Sequence, residues 1–131
     1  MPESDFHRDY RSHNPIGMEQ AARIAEMVGA LSNPPRVALL YALREGGKMP
    51  VGELAEAAGV TSSAASQQLR VLRHLRFVVS RREGRSVLYA LHDSHVATLL
   101  DEIRDHAEHA RLGWASPPAR RSDETAAGYD S

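Results

Sequence analysis

The sequence predicts a mainly α fold with a β-hairpin wing, and three observations predict it. Between residues 18 and 75, apolar side chains recur at helical spacing in four stretches separated by Pro-Pro or glycine stops. From Phe77 to Leu91 the pattern changes to β-branched and aromatic residues on either side of Glu83-Gly84, which reads as a hairpin. From Asp93 the helical period returns and holds to about Leu112.

Each element has a local reason. Asn14-Pro15 and Gly17 break the chain before Met18, Ala21, Ala25, Val28 and Leu31 give a first helix, Met18–Leu31, its apolar face. Pro34-Pro35 suits a helix start, where the missing N–H has no partner in any case, and Val37, Leu39, Leu40 and Leu43 fill that helix until Gly46-Gly47. Val51–Ala58 is a short helix stopped by Gly59. Thr61 then caps Ser62–Leu75, whose core positions are Ala65, Leu69 and Leu72. Phe77–Arg82 and Ser86–Leu91 are the strands, and Asp93 caps the last helix. This order is that of a winged helix-turn-helix domain over residues 18–112. Residues 1–17 read as a flexible polar extension, and residues 113–131, with Pro117-Pro118, have the composition of a disordered tail.

The chain's 131 residues suffice for one domain with a modest core, and no internal repeat or linker divides it. No apolar run approaches the roughly 20 residues of a membrane span, and the polar N-terminus lacks a signal core. The expected address is cytoplasmic. Absence of cysteine excludes disulfides, thiolate metal sites and thiol redox sensing, so a transition metal would meet only nitrogen and oxygen. That donor set suits zinc, nickel or cobalt better than copper(I).

The formal net charge is -1, but its distribution is uneven. Arg70, Arg73, Arg76, Arg81, Arg82 and Arg85 are opposed over that stretch only by Glu83, while acids gather in Asp93–Glu108 and in both tails. Local field governs attraction to phosphate more than net charge does. The two helices on either side of Ala58-Gly59-Val60 can lay the second in a DNA major groove. Small polar residues open that second helix: Ser62, Ser63, Ser66 and Gln67 are the candidates for base edges, and glutamine can pair bidentately with adenine. Arg70 and Arg73 suit phosphates, and Arg82 and Arg85 beside the hairpin turn suit the backbone or a minor groove. The expected partner is double-stranded operator DNA. The bland alternative is a helical protein with a solvated Ser/Gln face and an incidental basic hairpin. His74 is read as solvent- or phosphate-facing.

The last helix carries the pattern Asp93-x-His95, ten residues, then His106-x-x-His109. Eleven steps at 1.5 Å put His106 roughly 16 Å beyond His95 along the axis, whereas metal–nitrogen bonds are about 2 Å. Yet the three histidines fall within roughly 60° of one another around the helix. One stripe therefore carries two half-sites that meet only if a second copy of the helix packs antiparallel. The spacing predicts a homodimer with paired terminal helices and Asp93, His95, His106 and His109 as a metal set shared across it. Glu102, near that stripe, is placed to orient a ligating imidazole, while Val96, Leu99, Leu100, Ile103 and Ala107 form the apolar stripe and Asp101, Arg104, Asp105 and Glu108 face away. His92 lies outside the spacing and is read as surface. Asp93 is also a good N-cap regardless of metal, and His106 and His109 can be ordinary solvated residues.

These residues bring a resemblance into view. LSNPPRVALLYAL, the run from Val51 to Leu91 and the closing DSHVATLLDEIRDHAEHARLG resemble the ArsR/SmtB family of metal-sensing winged-helix repressors over about three-quarters of the chain. The last stretch is similar to the family's nickel/cobalt-sensing branch. The resemblance implies dimerisation through the last helix and release from the operator when metal binds. It also implies that nickel or cobalt stands slightly ahead of zinc, with the N-terminal segment completing a larger ligand shell. Pro2 (once Met1 is removed), His7 and His13 are the candidates for those additional ligands, with Asp5 and Asp9 beside them.

Three departures from the family's pattern are present. Gln67 stands where a histidine is frequent in the recognition helix. Pro50-Val51-Gly52-Glu53-Leu54 offers no thiolates where other members carry cysteines. Arg111 occupies the place of a further histidine. Two other classes compete with a metal-responsive regulator: a winged-helix transcription factor whose histidines are structural, and a metal-dependent hydrolase. The hydrolase needs an open coordination position and a general base in a cleft, and the sequence offers no such constellation, so no enzyme is expected.

Overall fold

The computed structural model describes residues 6–114, with side chains as far as Arg111. Along them run α1 (Met18–Gly29), a 3-10 turn (Ala30–Ser32), α2 (Pro34–Gly46), β1 (Met49–Pro50), α3 (Val51–Ala58), α4 (Ser62–His74), β2 (Val78–Glu83), β3 (Ser86–Leu91) and α5 (Ser94–Trp114). The described residues fall into two compact units, one spanning 14–100 and the other comprising 6–13 with 101–114.

In the larger unit, helix ends are fixed by the residues that satisfy open backbone groups. Asn33 caps α2 by accepting the Arg36 N–H at 3.0 Å, and Thr61 caps α4 by accepting the Ala64 N–H at 3.0 Å. Gly59 closes α3 in the left-handed region, at φ 75°, where a Cβ would be strained. That closure turns the chain between α3 and α4, the predicted DNA-reading pair. Leu39, Leu40 and Leu43 of α2 meet Leu54 and Ala55 of α3 and Ala65, Leu69 and Leu72 of α4 in one buried core, closed by Phe77, Val78, Val96 and Leu100. The spacing of Ala65, Leu69 and Leu72 on α4 leaves the opposite face of that helix to solvent.

The sheet has the order β1-β3-β2, antiparallel throughout, with Met49 opposite Tyr89 and Val78 opposite Leu91. The third strand was not expected: Met49–Pro50 is too short to show a period of two, and its proline suits only an edge. Strand alternation puts Val78, Ser80 and Arg82 on the core side of β2, and Val79, Arg81 and Glu83 on the outer side. Other boundaries shift slightly. Phe77, expected in the strand, donates its N–H to Leu72 and belongs to the exit from α4; the 3-10 turn replaces the last residues expected of the first helix. The last helix continues to Trp114, so Gly113 and Trp114, expected in the tail, are helical. Among the described residues no helix is long and apolar enough to cross a membrane.

Helix α1 buries none of its residues. Ile24, Met27 and Val28 are exposed, and with Leu31, Val96 and Leu99 they line an open groove of about 400 Å³.

Candidate DNA interface and metal half-sites

Ser62, Ser63, Ser66, Gln67 and Arg70 are all exposed on α4, as is His74. Ser63, Gln67, Arg70 and His74 follow one another at three- and four-residue steps, so they share one face, opposite the core leucines. Arg73 has a more specific place than the phosphate role read from sequence. Its Nη1 donates to Ser80 Oγ at 2.9 Å, tying the recognition helix to the first strand of the wing while the guanidinium keeps further donors for an anion. Arg82 lies on the same side of β2 as Ser80, and Arg85 follows Gly84 in the hairpin turn; both are exposed. Arg81 is on the outer side, 3.5 Å from a Glu83 carboxylate that also stands 3.8 Å from Lys48. Strand alternation thus sends Arg82 to the helix side and Arg81, paired with an acid, to the far side.

Arg76 occupies a position that sequence reasoning missed. It is the one non-glycine residue at positive φ among the described residues, at 66°. Its N–H donates to Arg73 and that of Phe77 to Leu72, the paired bonds that end a helix through a left-handed residue. Glycine would have signalled this exit; arginine hides it.

At the start of α5, Asp93 works first as a cap, its Oδ1 accepting the Val96 N–H at 3.2 Å. Oδ1 also stands 3.7 Å from His95 Nδ1, and Oδ2 stands 3.1 Å from His92 Nδ1. The hydrogen bond from His92, then that from Val96, hold the Asp93 carboxyl below its usual range, so it is an ionised acceptor at neutral pH. Two donors bound to one ion at about 2 Å each are at most about 4 Å apart. The Asp93–His95 separation fits that limit, and its oxygen–nitrogen chemistry suits zinc, cobalt or nickel.

His106, His109 and Glu102 are exposed on the later turns of α5, where Arg111 pairs with Glu108 at 2.6 Å and lowers that carboxyl's pKa. Asp101, expected to face away, is half-buried, whereas Leu99 and Ile103 of the expected apolar stripe are exposed. Among the described residues, no three His, Asp or Glu side chains gather as a metal cage within one chain.

His7 and His13 are exposed, and the His7 ring meets Phe6 edge-on. Both Asp9 oxygens are taken by Arg11, at 2.7 to 3.2 Å, which holds that carboxyl low. Pro2 and Asp5 lie outside the described residues. His92 is the residue that spacing led away from. Read as surface, it is half-buried and bonded to Asp93; its adjacency to the acid was the available signal.

Residues 33–80 match the family described as bacterial regulatory protein, arsR family. HTH-type transcriptional regulator NmtR of Mycobacterium tuberculosis is 50% identical over 103 residues, covering 79% of this chain and 85% of NmtR. The chain belongs to the arsR family. As a member of it, the chain is a DNA-binding transcriptional regulator and not an enzyme. The solution structure of apo-NmtR superposes on this arsR-family chain with a TM-score of 0.64 at 46% identity, covering 86% of this chain and 92% of that one. A homodimeric winged helix-turn-helix DNA-binding domain from Mycobacterium bovis gives 0.65 at 30% identity, covering 74% and 93%. The matched span, 33–80, runs from the cap of α2 through α4 into β2, so it includes the exposed serines, Gln67 and Arg70.

Proposed function

We propose that this arsR-family chain is a cytoplasmic homodimeric repressor that leaves its operator when a divalent metal binds between the last helices of the two copies. The observation that carries this reading is the pair Asp93 Oδ1 and His95 Nδ1, 3.7 Å apart on an exposed helix start, with two further exposed histidines on the same helix. Asp93 and His95 of one copy with His106 and His109 of the second would hold the ion, giving two equivalent sites by symmetry. Bound there, the ion would fix the relation of the two last helices.

The rest is done by the chain's own residues. The exposed Ile24, Met27, Val28 and Leu99 give a second copy an apolar surface to cover, and the Mycobacterium bovis neighbour is a homodimer. Ser62, Ser63, Ser66 and Gln67 face base edges, while Arg70, Arg73, Arg82 and Arg85 hold phosphates. Two recognition helices must span roughly 34–36 Å to enter successive major grooves, and a dimer fixed away from that span binds DNA less well. Residues 18–112 form the reading and dimerisation domain. The extension 1–17 carries His7 and His13 (and Pro2), further donors that favour nickel or cobalt, which accept larger shells, slightly over zinc. Residues 113–131 take no part in this scheme.

The test is operator binding by fluorescence anisotropy with and without nickel, cobalt and zinc. Each activating metal is expected to weaken binding by a coupling of about 1–3 kcal/mol; equal affinity with and without all three would overturn the sensing role. A second reading, a regulator without metal sensing, has one observation in its favour: Asp93 already serves as the cap of α5. Operator affinity that none of the three metals changes would favour it, and joint replacement of His106 and His109 by alanine would then leave operator binding as it is.

A further inference from the structure

Asp93 offers its two oxygens to different partners. Oδ1 accepts from the Val96 backbone and stands nearest His95 Nδ1, whereas Oδ2 is 3.1 Å from His92 Nδ1. An ionised carboxylate only accepts, so His92 Nδ1 must carry the proton and donate it. The two imidazoles beside this acid stand in unlike places. His95 has 94% of its side chain exposed, whereas His92 has 32% and sits beside Phe77 at the apolar groove. The His92 backbone N–H also donates to the Phe77 carbonyl at 2.9 Å, fixing where its side chain starts.

We infer that His92 is a positioning residue: it holds Oδ2 of Asp93 with a fixed hydrogen bond and leaves Oδ1, on the His95 side, as the one oxygen this acid presents to a divalent metal. The inference rests on the reading of Asp93 and His95 as ligands and adds a residue outside the Asp-x-His spacing. A carboxylate free to offer both oxygens suits large hard cations such as calcium, which takes six to eight oxygens, mono- or bidentate. One tied to a single oxygen beside an imidazole suits zinc, cobalt or nickel. His92 thereby acts on both affinity and selectivity, because a carboxylate already oriented loses less freedom when it ligates. Groups that hydrogen-bond a metal ligand typically contribute 10–100-fold in affinity.

The experiment is a cobalt(II) titration of the full chain, followed by visible absorption at about pH 8, above the ordinary imidazole range. His92→Phe keeps a ring but removes the donor; His92→Asn puts an amide N–H where Nδ1 stands. The phenylalanine variant is expected to bind cobalt about 10–100-fold more weakly, with shifted bands, while metal-free operator affinity and thermal midpoint stay near wild type. His92→Asn is expected to recover most of the affinity. If the phenylalanine variant does not fold, His92→Leu, also without a donor, serves the same comparison. Wild-type cobalt affinity and spectrum in the donor-less variant would overturn the role, as would equal loss in His92→Asn and His92→Phe. Asp93→Asn separates the two readings: if it too binds cobalt normally, Asp93 is not a ligand; if it alone weakens binding, only the positioning role fails.

Discussion

The recognition helix and the last helix differ in what one chain completes. On α4, Ala65, Leu69 and Leu72 are fully buried, the polar face is exposed, and Arg73 ties the helix to the wing. Everything needed to present a reading surface is in place within one copy. On α5, Val96 and Leu100 are buried, but Leu99 and Ile103 are left exposed, and Asp93 with His95 would supply only half of the proposed ligand set. The contrast teaches that α4 is finished by folding of one chain, whereas α5 keeps apolar side chains that one chain leaves uncovered. In the proposed scheme a response to metal is then a response of the dimer.

The largest expected effect tests that contrast directly. Leu69→Ala should cost about 2–5 kcal/mol of folding stability, since it empties a fully buried site. Leu99→Ala, at a residue 42% exposed, should leave the fold of one chain nearly intact and instead weaken self-association. Urea unfolding and sedimentation velocity on both variants check the pair. Comparable loss of folding stability in both would mean that α5 is as complete in one chain as α4.

Next in size is a comparison within the wing. Arg82→Ala should lower the slope of log affinity against log salt by about 1, the value of one phosphate contact. Arg81→Ala should change it much less, because Arg81 lies on the outer side of β2 beside Glu83. Anisotropy across a salt series reads both slopes, and equal changes would remove the helix-side assignment of Arg82.

Acid should separate the two helices further. Imidazole ligates only when neutral and ordinarily titrates near about 6.5, so metal uptake should weaken below neutral pH. The Asp93 carboxyl, by contrast, is held low by His92 and Val96. Because its folded pKa lies below the unfolded one, the cap's contribution is complete above the unfolded carboxylate range of about 4 and is lost as pH falls through the lowered folded value. Between these limits the ratio of operator affinity without cobalt to that with it should fall toward one. Operator binding with and without cobalt at about pH 7.5 and 5.5, on either side of the imidazole range, measures the separation.

Legibility in the sequence followed the same division. The helices of residues 34–75, their core leucines and the hairpin announce themselves through period and punctuation, because each buries one face within its own chain; α1 shows the same period although none of its residues is buried. The strand Met49–Pro50 escapes notice because two residues carry no period. The proposed metal half-site rests on spacing along α5, which the sequence displays, whereas the place of His92 comes from a bond to its neighbour and from its position beside Phe77, which spacing does not show. The Arg73–Ser80 link was equally hidden: nothing in either residue type requires that they meet.

Arg76 gives the smallest effect and the clearest opposition of sign. The exit from α4 needs a left-handed residue there, at φ 66°, to bring Phe77 back to Leu72 and start β2 in register with β3. An arginine in that region carries steric strain between its Cβ and the backbone. Arg76→Gly removes the strain but gives the unfolded chain more freedom to lose, so the net gain should be below about 1 kcal/mol. Arg76 lines the apolar groove beside Ile24 and His92, away from the face that carries Gln67 and Arg70. Its removal should therefore raise the thermal midpoint slightly and leave the salt dependence of operator binding unchanged. A lower midpoint would mean that the arginine side chain stabilises the exit by more than the backbone strain costs. A reduced salt slope would move Arg76 from the helix junction to the DNA-facing set.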